Sequence, residues 1–398
     1  MTNYALYGNL RGSEIIAIDI NKMAVSAVIP CSKEPYAVDQ AGSGFLLSIT
    51  RKLNSTDKIS TNPFNSIGLI ELDHSPRTAK AKANESVLIS GANKTLSTVL
   101  KLPEFSKQLV VGEGKQVPEE GIQDFGGNNA SGHEAWIQDG KSFLQLDRIE
   151  RKLIAFEAKS GNKLWELNTP TTPHHALQDN VNSSRYYIVC EGSQSNLVPP
   201  SLIAIEIADQ ASKESFQVVG HIFLPVEESE YSQMGGHHVD QQPDGKYLYM
   251  GSAEGYCYII DARSLEVVKK LPTGKAHGHT GFVETDCGLI AVAVNHRDLH
   301  VTLIDVENQS ILENIKTSDA FPTENILTQG HTTGDLNGNF YIMISHEARF
   351  IEIDIAKREI LRTLDLKEAL GDQIPNLLPL QGTFLWDNSD GKICTNCH

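Results

Sequence analysis

Histidine recurs along this chain in short, similar settings. His133 lies in SGHEAW, His174 and His175 in TPHHAL, His237 and His238 in GGHHVD, His277 and His279 in KAHGHTGF, and His331 in QGHTTG. Neutral imidazole is a borderline ligand that suits zinc, copper and iron, and several imidazoles converging on one point favour copper most. His133, His174, His175, His237, His238, His279 and His331 are therefore candidate metal ligands. The plain alternative is that repeats descended from one ancestor keep a histidine as a turn or hydrogen-bonding device. The doublets weigh against it. Adjacent strand residues face opposite sides, so one of each pair exceeds what a turn requires.

A second chemical string closes the sequence: Cys394-Thr395-Asn396-Cys397-His398. Two thiols at the C-x-x-C-H spacing can form thioethers with both vinyl groups of a haem, and the next histidine ligates the iron from the same side. A zinc site would need two further ligands. Residues 388–398 thus read as the start of a cytochrome c-type segment holding haem c through Cys394, Cys397 and His398. Attachment of this kind occurs outside the cytoplasm. The first residues, MTNYALYGNLRG, carry no basic start and no apolar core of a secretory signal. The expectation is a periplasmic or extracellular protein of which this chain is a piece. The other cysteines, 31, 190, 257 and 287, are isolated and read as buried thiols rather than a disulfide framework.

The elements that must position these residues repeat. A short apolar strand ends in an acidic residue, makes a polar turn and enters a second strand: IIAIDINKMAV from 15, CYIIDARSLEV from 257, VTLIDVENQSI from 301 and FIEIDIAKREI from 350. Upstream of these lie the strands FLQLD, YYIV, YLYMG, LIAVAV and FYIMIS, each after a histidine setting. Alternating apolar residues and β-branched enrichment mark strands, and the two units together make four antiparallel strands, one propeller blade. Blades fall near 133–168, 174–224, 237–271, 279–316 and 331–364. Another begins at 35–49, is interrupted by a polar insertion at about 52–95, and resumes at 97–112. Short helices are expected near 78–90 and 366–371. Strands in 3–30 join the strand 380–386 and close the ring, which removes exposed edges. The fold class is all-β: a seven-bladed β-propeller over 1–387, or eight-bladed if the insertion hides strands.

Equal register in a repeat means equal position in space, so the histidines are expected around one mouth of one channel. Glycine precedes the histidine in four blades and permits close backbone approach. The following hairpins carry Asp147 and Arg148, Asn295 and His296, and His346 and Glu347, which could orient the imidazoles. Glu134 and Glu347 are candidate proton donors.

A propeller ringed by histidines from successive blades resembles the multicopper propeller enzymes nitrous oxide reductase and thiocyanate dehydrogenase. The resemblance spans about residues 130–345 and rests on architecture and histidine register. The blades also resemble those of the haem-containing propeller nitrite reductases. By either resemblance His133, His174, His175, His237, His238, His279 and His331 are the positions that carry over. The blade that begins near Pro35 departs from the pattern, since it has no histidine there. A propeller followed by a cytochrome c segment also resembles a variant of nitrous oxide reductase.

Net charge is −16, which disfavours nucleic acid and anionic membranes, whose binding needs clustered Lys and Arg. No stretch approaches the roughly 20 apolar residues of a membrane span. The acidic surface serves solubility and would suit a redox partner protein, a cytochrome or cupredoxin-like carrier. The resulting expectation is a metal-dependent oxidoreductase acting on a small molecule or small inorganic substrate, with a copper centre exchanging electrons with haem c. The alternatives are a non-catalytic binding or assembly propeller carrying an electron-transfer haem, and a haem-cofactor maturation protein. Fold alone does not choose among them.

Overall fold

The structure is a computed structural model that describes residues 3–12, 14–30, 35–40, 45–51, 64–71, 135–137, 142–147, 151–157, 163–207, 216–323, 326–330, 333–374, 376–387 and 393–394. These residues form seven antiparallel sheets. Five are four-stranded and built from consecutive strands: 135–168, 173–223, 236–272, 277–316 and 333–365. The innermost strand of each packs on the innermost strand of the next, which is the arrangement of a β-propeller.

The repeated turn has a common physical origin. In four blades the acidic residue that ends the third strand accepts a hydrogen bond from the amide three residues on. These are Asp19 from Lys22 (3.1 Å), Asp261 from Ser264 (2.8 Å), Asp305 from Asn308 (3.0 Å) and Asp354 from Lys357 (2.9 Å). The next residue, Met23, Leu265, Gln309 or Arg358, then adopts a left-handed φ of 47–62°. Short carboxylates favour such turns because they replace a backbone acceptor. The amide donors hold the carboxyls of Asp261 and Asp305 below their ordinary range.

The chain ends share one blade. The strand Pro379–Asp387 pairs with Tyr4–Asn9, which continues to Glu14–Asp19 and Ala24–Pro30. Tyr7 and Phe384 are fully buried there, in one apolar cluster with Phe350 from the preceding blade. The helix expected near 366–371 is found as Leu366–Leu370.

One expectation is corrected. The polar insertion at 52–95 contains a strand, Phe64–Glu71, which pairs with Phe45–Arg51 as the third strand of the sheet begun by Pro35–Gln40. Its backbone pairs the open edge of Phe45–Arg51, a need that composition averaged over the insertion conceals. Past the strand Pro379–Asp387, Ile393–Cys394 forms a further short antiparallel strand. Cys394 pairs with Trp386, and Ile393 with Asp387, on the free edge of the last strand. The helix expected at 78–90 and the strands at 97–112 lie outside the described residues.

Candidate metal centre

The histidine settings begin three successive innermost strands: Pro173–Gln178, Gly236–Gln241 and His277–Thr285. Each carries one extra residue relative to its partner strand at that point. Pro173 faces Cys190 while His175 faces Val189, Gly236 faces Ser252 while Val239 faces Met250, and His277 faces Asn295 while Thr280 faces Ala293. These are β-bulges, which break the alternation of a strand and re-aim side chains. Both members of each doublet consequently turn inward. The rings of His237 and His238 are 4.2 Å apart, where a regular strand would point them to opposite faces.

The result is one cluster of imidazoles, each less than 4% exposed. His238 stands at its centre, 3.7 Å from His279, 4.7 Å from His175 and 5.2 Å from His174 between ring centroids. His237 lies 4.6 Å from His174 and 5.0 Å from His296. One ring nitrogen from each of His174, His237 and His238 falls within 4.8 Å of the others, a spacing that one ion can bridge. The rings are enclosed rather than set around an open mouth. His296, expected in an outer supporting role, belongs to the cluster itself.

The partners of the Nδ1 atoms decide what each ring offers. His237 donates Nδ1–H to the carbonyl of His277 (3.3 Å), and His296 donates to that of Gln329 (3.0 Å). A carbonyl can only accept, so in these neutral rings Nε2 carries the lone pair. His174 Nδ1 meets Glu191 at 2.5 Å, and His279 Nδ1 meets Asp240 at 3.3 Å. Carboxylate behind imidazole is the arrangement that orients metal-ligating histidines and raises their basicity. His175 is opposite in sense. Its Nδ1 accepts the amide of Val239 (3.2 Å), so the neutral ring presents an N–H at Nε2. His277 faces Thr280 through Nε2 (2.9 Å). Burial and the neighbouring His279 push its pKa down to about 3, which keeps it neutral.

Several anchors reach across blades: Asp240 holds His279 from the preceding blade, and the His277 carbonyl holds His237 from the following one. The glycines make this contact possible. A β-carbon on Gly236 would sit 2.8 Å from the carbonyl of Cys190, and one on Gly278 would collide with the His296 imidazole. Gly278→Ala is therefore expected to destabilise the fold by about 1–3 kcal/mol, the usual cost of overpacking a core. Urea denaturation against the parent protein reads this loss.

The carboxylates that support the cluster, Glu191 and Asp240, were missed by the sequence reading. A signal for Glu191 existed, since it directly follows its blade's second strand, as His296 does in a later blade. Glu347, expected as a proton donor, is committed to Ser318 (2.6 Å) and Arg349. Asn295 binds the backbone of Thr273 and His300 rather than an imidazole. His133, Glu134, His331, Cys397 and His398 lie outside the described residues, and of Cys394 only the backbone pairing is described. No helix among the described residues is long and apolar enough to cross a membrane.

No family model matches the chain, and no curated protein matches it in sequence. Among solved structures it is similar to dihydro-heme d1 dehydrogenase NirN in complex with DHE, with a TM-score of 0.54 and 12% identity over 91% of this chain. The match spans 63% of the NirN chain. It is also similar to apo AztD from Citrobacter koseri, with a TM-score of 0.54 and 10% identity, covering 97% of this chain and 99% of that one. At these identities the likeness is one of fold.

Proposed function

We propose that the protein is a transition-metal-binding β-propeller of an exported electron-transfer system. The observation that carries this reading is the buried convergence of His174, His237 and His238. The donor set fits a borderline divalent or copper ion. His174 and His237 turn Nε2 to the cluster with Nδ1 anchored, His296 is oriented in the same sense, and the buried Glu191 and Asp240 offset a cation's charge. His175, aimed as an N–H donor, is assigned to bonding an anionic or carbonyl oxygen rather than to ligation. A copper ion held there supplies one-electron redox chemistry and Lewis acidity. The residues of the chain exclude water, fix the ring tautomers and neutralise charge.

The motif Cys394-x-x-Cys397-His398 supports a haem c partner for that centre, and hence an extracytoplasmic location and a carrier such as a cytochrome or cupredoxin-like protein. A second reading is favoured by the enclosure of the rings: the ion is held and handed on rather than turned over. Elemental analysis of the chain produced in a haem-attaching host, with a denaturing gel stained for covalent haem, tests both. About one copper ion per chain together with stained haem supports the redox reading. Zinc or copper without haem favours holding and transfer. No stoichiometric metal after incubation with copper or zinc rejects the metal centre.

A further inference from the structure

The imidazole triad is closed off: His174, His237 and His238 are each less than 4% exposed. An ion reaches such ligands only when part of their cover opens locally. Several stretches of chain adjoin the cluster, and they are fastened unequally. The approach 273–276 to His277 and the turn 295–300 are pinned by side chains from several elements. Asn295 Nδ2 donates to the carbonyl of Thr273 (3.0 Å), and Thr328 Oγ1 to those of His296 (2.9 Å) and Asp298 (2.6 Å). Gln329 Nε2 donates to the carbonyl of His300 (2.9 Å). The turn Ser193–Val198 is instead closed on itself. The Val198 amide donates to the carbonyl of Ser193 (2.9 Å), the Leu197 amide to that of Gln194 (3.2 Å), and Asn196 Nδ2 to Ser193 Oγ (2.9 Å). Ser195, Asn196 and Leu197 are exposed, Leu197 by 61%.

The same turn is joined to both sides of the triad. At its base Glu191 meets His174 Nδ1 at 2.5 Å, and the Glu191 carbonyl accepts the amide of Gly236, next to His237 (3.0 Å). From its middle, Gln194 Nε2 donates to the carbonyl of Met234, on the segment that leads into His237 and His238 (3.1 Å). Gly192, between the base and the turn, has a φ of 89°, a conformation glycine adopts without steric cost. We propose that Ser193–Val198 is the gate through which an ion enters and leaves the metal centre, pivoting at Gly192 and latched by Gln194 on Met234. This inference rests on the metal-binding reading above. A single neutral hydrogen bond suits a latch, since its net strength lets thermal motion open it. The latch closes the empty and the loaded site alike. Loosening it should therefore speed entry and release by one common factor and leave affinity unchanged.

Stopped-flow measurement of zinc uptake by the full chain, and of zinc release into excess chromogenic chelator, tests the gate. Q194A should speed both by about three- to tenfold, the factor that corresponds to one lost hydrogen bond. Its zinc affinity should stay within about twofold of the parent's. Asn308→Ala, which removes a bond to Asp305 on the turn after the strand His300–Asp305, should leave both rates unchanged. A merely structural role for Gln194 would lower zinc affinity or the urea midpoint without a common factor in the two rates, and would overturn the proposal. Hydrogen exchange in the parent gives a second reading. The amides of Leu197 and Val198 should exchange at least about tenfold faster than those of His296 and Thr328, which are bonded to Ala276 and His296. Equal protection of the two sets overturns the gate. Bound zinc with parental rates in Q194A also overturns it and leaves the metal centre standing. Absence of bound zinc in the parent rejects the metal centre, and the gate with it.

Discussion

His238→Ala should weaken binding of copper or zinc by about a hundredfold or more, equivalent to roughly 2.8 kcal/mol at 1.4 kcal/mol per factor of ten. The residue is the hub of the cluster. Its ring touches those of His174, His175, His237, His279 and His296, and it shares the triad spacing with His174 and His237. Removing a ligand leaves an ion with an incomplete coordination set inside a site closed to water, so little compensates the loss. His175→Ala is the informative companion. Its Nδ1 accepts a backbone amide, and the neutral ring has no lone pair to offer at Nε2. It should keep metal affinity within about threefold of the parent. Competition against a chelator of known affinity measures both variants. Equal retention in the two would remove His238 from the centre, and equal loss would overturn the tautomer argument. Circular dichroism and urea midpoints separate these effects from misfolding.

Phe384→Ala should cost about 3–5 kcal/mol of unfolding free energy, the range for truncating a buried aromatic side chain. A domain's total stability is about 5–15 kcal/mol, so this one change removes a large share. The ring is fully buried, with centroids 6.3 Å from both Tyr7 and Phe350. It also closes over Gly334, where a β-carbon would sit 2.7 Å from the ring. Phe384 thus joins the first strands of the chain, its last strand and the blade before them, the seam at which the ring of sheets is fastened. Phe223→Ala, on an outermost strand and 49% exposed, should change stability by less than about 0.5 kcal/mol. Urea denaturation of both variants checks the contrast. A loss below about 1 kcal/mol for Phe384→Ala would mean that the seam is not where closure is stabilised.

The class of fold, the blade limits between 133 and 364 and the pairing of chain ends were legible in the order of residues. All three rest on local information that repeats. Alternation decides which residues of a strand can be buried, a carboxylate three residues before an amide decides the turn, and a fifth copy of the pattern adds weight to the other four. The close approach at Gly236 and Gly278 was legible for the same reason, since glycine at a fixed register speaks for contact without saying with what. The strand Phe64–Glu71 was hidden because its polar surroundings outweighed it in composition, while its edge pairing with Phe45–Arg51 is a non-local fact.

Tertiary structure alone decided how the histidines are used. In the sequence a doublet implies opposite directions, yet the bulges at His174, at His237–His238 and at Gly278–His279 turn both members inward, and a bulge exists only in relation to the partner strand. The division of roles among rings followed the same course. Whether an imidazole donates or accepts at Nδ1 depends on which carbonyl, amide or carboxylate the next blade presents. That choice made His237 and His296 lone-pair donors to the cluster, His175 an N–H donor, and Asp240 rather than Glu347 a supporting carboxylate. Residue type and spacing set what chemistry is available, but hydrogen-bond polarity at a buried site is set by groups distant in sequence, brought within about 3 Å only when the blades close on one another.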